Sequence, residues 1–98
     1  MNFSERCYQL LKKVPRGKIT TYKEIARALK SKAYRAVGNA MNKNPYAPNV
    51  PCHRVIKSTG KVGGFASGTM KKTQILKKEG VEINKGKINL KKYLYKFK

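Results

Sequence analysis

The chain has 98 residues, enough for one domain with a modest core. It carries 24 lysines and arginines against four acids, and repulsion within a net charge of +20 destabilises a compact state unless a polyanion is close by. The sequence has no apolar run long enough to span a bilayer and no signal-peptide core, so we expect a cytoplasmic protein with no membrane contact.

Nucleic acid is the partner that this charge favours, because lysine and arginine contacts to phosphate release condensed counterions. A solvated lysine coat and a ribosomal-type protein remain alternatives, since lysine greatly outnumbers arginine. The two cysteines, Cys7 and Cys52, do not make a disulfide framework, and with His53 they are too few for a structural zinc site. We expect reduced thiols, no metal and no other cofactor.

The first half of the chain predicts three helices. Apolar spacing indicates a helix over residues 3–13, with Asn2 as its cap and Cys7 as a core residue. "TYKEIARALK" opens with a capping box, in which the Thr21 hydroxyl and the Glu24 carboxylate each accept from the other's backbone. A further helix follows over residues 33–42, "AYRAVGNAMN".

With Ser31 as the expected cap of that further helix, the pair has the pattern of a helix-turn-helix. An ordinary helical hairpin is the alternative, but the basic composition and "RAVGNA" favour DNA binding.

The second half predicts smaller elements. Residues 44–51 contain three prolines and cannot be regular, and "RVIKSTGKV" is typical of a hairpin. A helix is expected over residues 69–79, stopped by Gly80, and then a small hairpin around "NKGK" within residues 81–90. The predicted fold is mainly α with small β-hairpins, a winged-helix-like helix-turn-helix DNA-binding domain formed by residues 1–98 as a single unit.

Cys52 and His53 are adjacent, and a reactive cysteine needs a neighbour that lowers its pKa or removes its proton. Neighbouring side chains on an extended segment point to opposite sides, so a bridging water would be needed. The imidazole would also need a carboxylate, for which Glu79 is the natural candidate. The residues alone leave both a catalytic and a structural cysteine open.

The stretch "NPYAPNVPCHRVIKSTGKVGGF", with "GKITTYKEIARAL" and "YRAVGNAMNKNP" before it and "ILKKEG" after it, closely resembles the O6-alkylguanine-DNA alkyltransferases in their catalytic C-terminal domain. The match runs from about Phe3 to Gly80, and "PCHRV" is the active-site signature of that family. The resemblance implies irreversible, stoichiometric transfer of an alkyl (methyl) group from O6 of guanine in DNA to Cys52. His53 would deprotonate the thiol through a water, Glu79 would orient the imidazole, and Asn44 would hold the turn.

The resemblance also implies that the damaged nucleotide is flipped out of double-stranded DNA, because an alkyl group on O6 lies deep in the duplex. Arg35 would replace the flipped nucleotide, Tyr22 would press on its phosphate, and helix 33–42 would lie in the minor groove. The implied DNA contacts are Tyr22, Arg35, Ala36, Gly38 and Asn39. The implied substrate pocket is formed by Met41, Val55, Phe65, Ala66 and Ser67.

The chain departs from the family at Phe65 and Ala66, where a tyrosine and often a serine are usual, and at Tyr34, which is bulkier than the alanine of some members. We also expect the family's N-terminal domain to be absent and the protein to be a monomer. Arg54 could be a structural partner or a catalyst. The lysines of the last predicted helix are expected to be solvated or phosphate-facing: Lys71, Lys72, Lys77 and Lys78.

A second function remains open, that of a damage sensor like the alkyltransferase-like proteins, which bind the lesion without an acceptor cysteine. The presence of Cys52 favours transfer. A cysteine hydrolase and a basic ribosome-associated protein are more distant alternatives.

Overall fold

Five α-helices, one 3₁₀ turn and two short strands make up the computed structural model, within the residues that it describes, 2–46, 49–63 and 69–97. The predicted mainly α fold is confirmed. In chain order the elements are α1 (Phe3–Leu11), β1 (Thr20–Thr21), α2 (Tyr22–Ala28), α3 (Tyr34–Asn42), the 3₁₀ turn (Cys52–Arg54), β2 (Val55–Ile56), α4 (Thr69–Lys78) and α5 (Leu90–Tyr93).

The first two helices begin as their sequences indicate. The side chain of Asn2 accepts from the backbone N–H of Glu5 at 2.9 Å, and the hydroxyl of Thr21 accepts from that of Glu24 at 3.1 Å. Only half of the capping box forms among the described residues, because the Glu24 carboxylate contacts Arg27 at 3.4 Å rather than the backbone of Thr21. Helix α1 ends at Leu11, two residues before its predicted end.

The turn between α2 and α3 corrects one prediction. Lys30 adopts a left-handed backbone with φ of 55°, and the N–H of Ser31 closes the end of α2 by donating to the Ala26 carbonyl at 2.9 Å. The Ser31 hydroxyl accepts from the N–H of Ala33 at 3.0 Å, inside the turn. Ser31 as the cap of α3 is therefore wrong, since Ala33 is the residue at the start of the helix and makes no side-chain cap bond.

The two strands pair in parallel, with Thr20 opposite Val55 and Thr21 opposite Ile56. The 3₁₀ turn leads directly into β2, so this pairing fixes the position of Cys52 relative to the start of α2.

The hairpin predicted from "RVIKSTGKV" is present only as a turn. The N–H of Lys57 donates to the Lys61 carbonyl at 3.0 Å, and that of Gly60 donates to the Lys57 carbonyl at 2.9 Å. The segment before this turn, β2, pairs with β1 instead of folding back on the segment after it.

The end of the chain completes the sheet. Ile19 forms a parallel bridge with Leu94, and the N–H of Tyr95 donates to the Ile19 carbonyl at 2.7 Å. The predicted turn at "NKGK" forms an antiparallel bridge between Asn84 and Lys87. Leu90, expected in that hairpin, instead begins the short helix α5.

Two apolar clusters form the core. The first lies among α1, α2 and α3, and it contains both Cys7, with no exposure, and Cys52, 7% exposed. Cys7 is therefore a core residue, as predicted. The second cluster lies under the sheet: Ile19, Ile56, Val62, Leu76, Val81, Ile88 and Tyr93. No helix of the described residues combines the length and apolar character needed to cross a bilayer.

Candidate active site

The segment before Cys52 is held by one asparagine. The Asn44 side chain accepts from the N–H of Tyr46 at 2.9 Å and donates to the Val50 carbonyl at 2.8 Å. The same carbonyl accepts the N–H of Cys52 at 2.8 Å across an inverse γ-turn at Pro51, with φ of −80° and ψ of 70°. Asn44 and Cys52 therefore share one acceptor, and the side chain of Asn44 fixes the entry to the turn.

Cys52 and His53 lie on one 3₁₀ turn, and both are buried, at 7% and 4% exposure. The prediction that Cys52 and His53 lie on an extended segment is therefore wrong. On a 3₁₀ turn, successive side chains are separated by about 120°, so the thiol and the imidazole diverge without pointing to opposite sides. Within the described part of the chain, no hydrogen bond joins the thiol to the imidazole.

The carboxylate of Glu79 gathers the residues that follow Cys52. It lies 3.1 Å from Nε2 of His53, and it accepts from Nε and Nη2 of Arg54 at 2.9 and 2.6 Å. Nη1 of Arg54 donates to the Val14 carbonyl at 2.9 Å. The structure thus brings Glu79 and His53 together and places Arg54, whose role the sequence left open, as the partner of the carboxylate.

These contacts set the charges of the site. Burial alone would raise the pKa of Glu79, but hydrogen bonds from Arg54 and His53 bring it below its usual value. Burial lowers the pKa of His53, against the opposing effect of Glu79. The imidazole is therefore neutral at pH 7. Because an ionised carboxylate only accepts, Nε2 of His53 carries the proton and Nδ1 is left as a proton acceptor.

Lys72 corrects a prediction. Expected to be solvated, it is fully buried, and its Nζ donates to the Val55 carbonyl at 2.6 Å. Burial lowers its pKa to about 8. The signal was present in the sequence, since Lys72 lies four residues before the buried Leu76 and so shares the inner face of α4. By contrast Lys71, Lys77 and Lys78 are exposed.

Helix α3 presents a polar face away from the core. Its inner face is formed by Val37, Ala40 and Met41, whereas Arg35 and Asn39 are exposed. Ala36 and Gly38 are half-buried, and a Cβ added at Gly38 would meet no described atom within 4 Å. The small residues leave the outer side of the helix open to close approach.

A depression of about 450 Å³ lies beside this face, at the beginnings of α2 and α3. Tyr22 is half-buried there, and Tyr34 is 47% exposed. Its lining combines aromatic, basic and hydroxyl side chains: Tyr22, Lys23, Tyr34, Lys57, Ser58 and Thr59.

Of the residues expected to form the substrate pocket, the structure describes two. Met41 and Val55 belong to the core cluster that contains Cys52. Phe65, Ala66 and Ser67 lie outside the described residues, so their roles stay predictions.

Comparison with known proteins identifies the family of this chain. A family model for 6-O-methylguanine DNA methyltransferase, DNA-binding domain, matches residues 2–81. The chain is 49% identical over 79 residues to a methylated-DNA–protein-cysteine methyltransferase of Methanosarcina barkeri, covering 80% of this chain and 50% of that protein. The protein of the same name from Sulfolobus acidocaldarius is 45% identical over 82 residues, covering 84% and 52%. The chain spans about half the length or less of such curated relatives.

Solved structures of two DNA-bound proteins are also similar to this chain in fold and sequence. S. pombe Atl1, in complex with damaged DNA containing O6-carboxymethylguanine, has a TM-score of 0.87 and 35% identity, covering 97% of this chain and 95% of its own. Mycobacterium tuberculosis OGT, in complex with DNA, has a TM-score of 0.77 and 40% identity, covering 81% and 50%.

Proposed function

The chain belongs to the family of the 6-O-methylguanine DNA methyltransferase DNA-binding domain, and we propose that it repairs DNA by taking alkyl groups from O6 of guanine onto Cys52. The observation that carries this proposal is the order of groups at one turn. A thiol is followed by a neutral imidazole, whose Nε2–H is directed to Glu79 at 3.1 Å. That order supplies a nucleophile and a base for its proton.

The chemistry proceeds in three steps. Nδ1 of His53 takes the thiol proton of Cys52 through a bridging water, because Nε2–H is committed to Glu79. The thiolate then attacks the alkyl carbon, a C–S bond forms, and the C–O6 bond breaks with its electron pair left on the guanine. The guanine anion takes up one proton, for which the His53 imidazolium is the source. The thioether is stable, so each molecule acts once as a methylated-DNA–[protein]-cysteine S-methyltransferase.

In this proposal, helix α3 binds the DNA from which the damaged nucleotide is flipped. Its small outer residues let it enter the minor groove, and Arg35 fills the place of the flipped nucleotide. Tyr22, at the start of α2, contacts the phosphate of that nucleotide. Unstacking a base costs a few kcal/mol, and an inserted side chain offsets part of that cost.

A mass measurement tests the transfer. The protein is incubated with a duplex carrying O6-methylguanine, and the intact protein and its peptides are weighed. We expect one added methyl group on the peptide that contains Cys52, no addition in Cys52→Ala, and an unchanged yield in Cys7→Ala, because Cys7 is fully buried. Methylation of any other residue, or many lesions repaired per molecule, would contradict the mechanism.

The second candidate function is lesion binding without transfer. Its support is the likeness to S. pombe Atl1 over almost the full length of both chains, with that protein bound to damaged DNA. Tight binding of the same duplex with no change in protein mass would select this function.

A further inference from the structure

Two neighbouring turns form a rigid surface next to the depression at the start of α2. We call residues 57–63 and 84–88 the turn platform. The N–H of Val62 donates to the Gly86 carbonyl at 3.0 Å, and the N–H of Ile88 donates to a carbonyl of the first turn at 2.8 Å. Val62 and Ile88 are buried in the second core cluster. The two turns therefore form one fixed unit.

The platform is strongly basic, and among the described residues no salt bridge to an acid neutralises its charge. The salt bridges among the described residues use other cations, and Glu82, the acid nearest in sequence, contacts Lys92 at 3.4 Å. The exposed side chains of the platform include four lysines: Lys57, Lys61, Lys85 and Lys87.

Two of these lysines are constrained, Lys57 along its stem and Lys85 in its backbone. The stem of Lys57 runs past Gly63, where an added Cβ would lie 3.3 Å from Cγ of Lys57. Lys85 has a left-handed backbone, with φ of 53°, followed by Gly86 with φ of 77°. Asparagine or glycine is the usual residue where both central positions of a turn have positive φ, so a lysine charge stands where the backbone favours a different residue.

Lys57 connects the platform to the predicted DNA-binding face. It lines the depression that contains Tyr22 and Tyr34, and it also lines a second one of about 430 Å³ with Lys61 and Lys85. A continuous basic track therefore leads from the start of α2 and α3 to the platform.

We infer that the turn platform binds the phosphate backbone of DNA and extends the contact surface beyond α3. This inference rests on the proposed function, because it requires DNA to be bound at α3. The phosphates can come from the flank of the lesion duplex or from a second duplex, and the two sources are separable by experiment.

The test compares two triple variants with equal loss of charge. The platform variant is Lys61→Gln, Lys85→Asn, Lys87→Gln, in which asparagine suits the left-handed position and so preserves the turn. The control is Lys12→Gln, Lys13→Gln, Lys96→Gln, which removes three exposed lysines from the segment just after α1 and from near the end of the chain. Affinity for an O6-methylguanine duplex is measured at several salt concentrations, with the thermal midpoint of each protein as the check on folding.

We expect the slope of log affinity against log salt to fall by about 2.7 in the platform variant and to change much less in the control. Equal slopes in the two variants would overturn the inference while leaving lesion binding intact. Failure of the unaltered protein to prefer the lesion duplex would instead overturn the proposed function.

Duplexes shortened on one side of the lesion identify the source of the phosphates. If the platform contacts the flank of the same duplex, shortening one particular side reduces the difference between the two variants. If it contacts a second duplex, shortening has no effect, and sedimentation shows two duplexes per protein with the control variant and one with the platform variant. Either result supports the inference. If the two variants behave alike in both assays, the inference is overturned.

Discussion

Arg54 binds the carboxylate of Glu79 through two nitrogen atoms, at 2.9 and 2.6 Å. Glu79 directly follows α4, where the negative end of the helix dipole disfavours a carboxylate. The guanidinium offsets that effect, and its further bond to the Val14 carbonyl ties the pair to the segment after α1. Arg54 therefore contacts the site through Glu79, and we expect its loss to lower the stability of the fold.

We expect Arg54→Gln to lower the free energy of unfolding by about 3 kcal/mol, because it leaves Glu79 largely buried without its cation. Urea denaturation at pH 7 measures the loss. The control is Arg27→Gln, which breaks the pair between Arg27, 65% exposed, and Glu24, and should cost about 0.5 kcal/mol or less. Equal losses in the two variants would show that Arg54 does not stabilise the carboxylate.

The protein should lose stability in acid in two stages. Burial holds the pKa of folded His53 below its ordinary 6.5, so the unfolded chain takes up that proton first, and stability falls as the pH drops below about 6.5. Hydrogen bonds hold the pKa of Glu79 below 4.5, and a second loss follows below that pH. Chemical denaturation across pH 4–8 should show the upper stage in the wild type but not in His53→Gln. Superimposable profiles would contradict this assignment.

Lys72 should make stability rise with pH in the alkaline range. Its folded pKa is about 8, against 10.5 for an ordinary lysine, so between these values the unfolded chain holds more protons. Relative to Lys72→Met, the wild type should gain about 1.4 kcal/mol for each pH unit in that window. Lys71→Met, at an exposed position, serves as the control. A constant gap between wild type and Lys72→Met would show that the ammonium is not desolvated.

Asn44 should position Cys52 through its side-chain donor. Asn44→Ala loses both side-chain bonds and should cost about 1–2 kcal/mol. Asn44→Asp keeps the acceptor for the N–H of Tyr46 but cannot donate to Val50. We expect both variants to slow alkylation of Cys52 by a free O6-benzylated guanine base, followed by mass. A normal rate in Asn44→Asp would show that the bond to Val50 does not position the turn.

Arg35 should matter for duplex DNA and not for a free base. We expect Arg35→Ala to slow transfer from an O6-methylguanine duplex much more than transfer from the free benzylated base, which needs no flipping. Arg6→Ala, on the exposed side of α1, is the control for loss of charge. Equal slowing on both substrates would refute the role of Arg35 in the base stack.

Local features were predictable from the sequence because their causes lie within a few residues. The side chains of Asn2 and Thr21 satisfy N–H groups three positions ahead. The apolar spacing placed Cys7 in the core and predicted α1 to within two residues of its end. Glu79 was a reasonable partner for His53 because the chain has only four acids.

Features that depend on distant segments were missed. The hairpin pattern at Val55 does not indicate that β2 pairs with β1, because the same alternating residues suit either neighbour. The spacing to Leu76 places Lys72 on the inner face of α4, but burial of an ammonium contradicts the residue type. It depends on the Val55 carbonyl, which only the folded chain brings within reach. Leu90 fitted a strand as well as the short helix it begins.

The arrangement around β1 also bears on the order of folding. Helices α1, α2 and α3 contact one another within the first half of the chain, so their assembly requires only short loops to close. The sheet requires two distant partners, since Thr20 meets Val55 on one side and Ile19 meets Leu94 on the other. These three helices can therefore form early in folding, and the turn that carries Cys52 reaches its final geometry only when the long-range pairing closes.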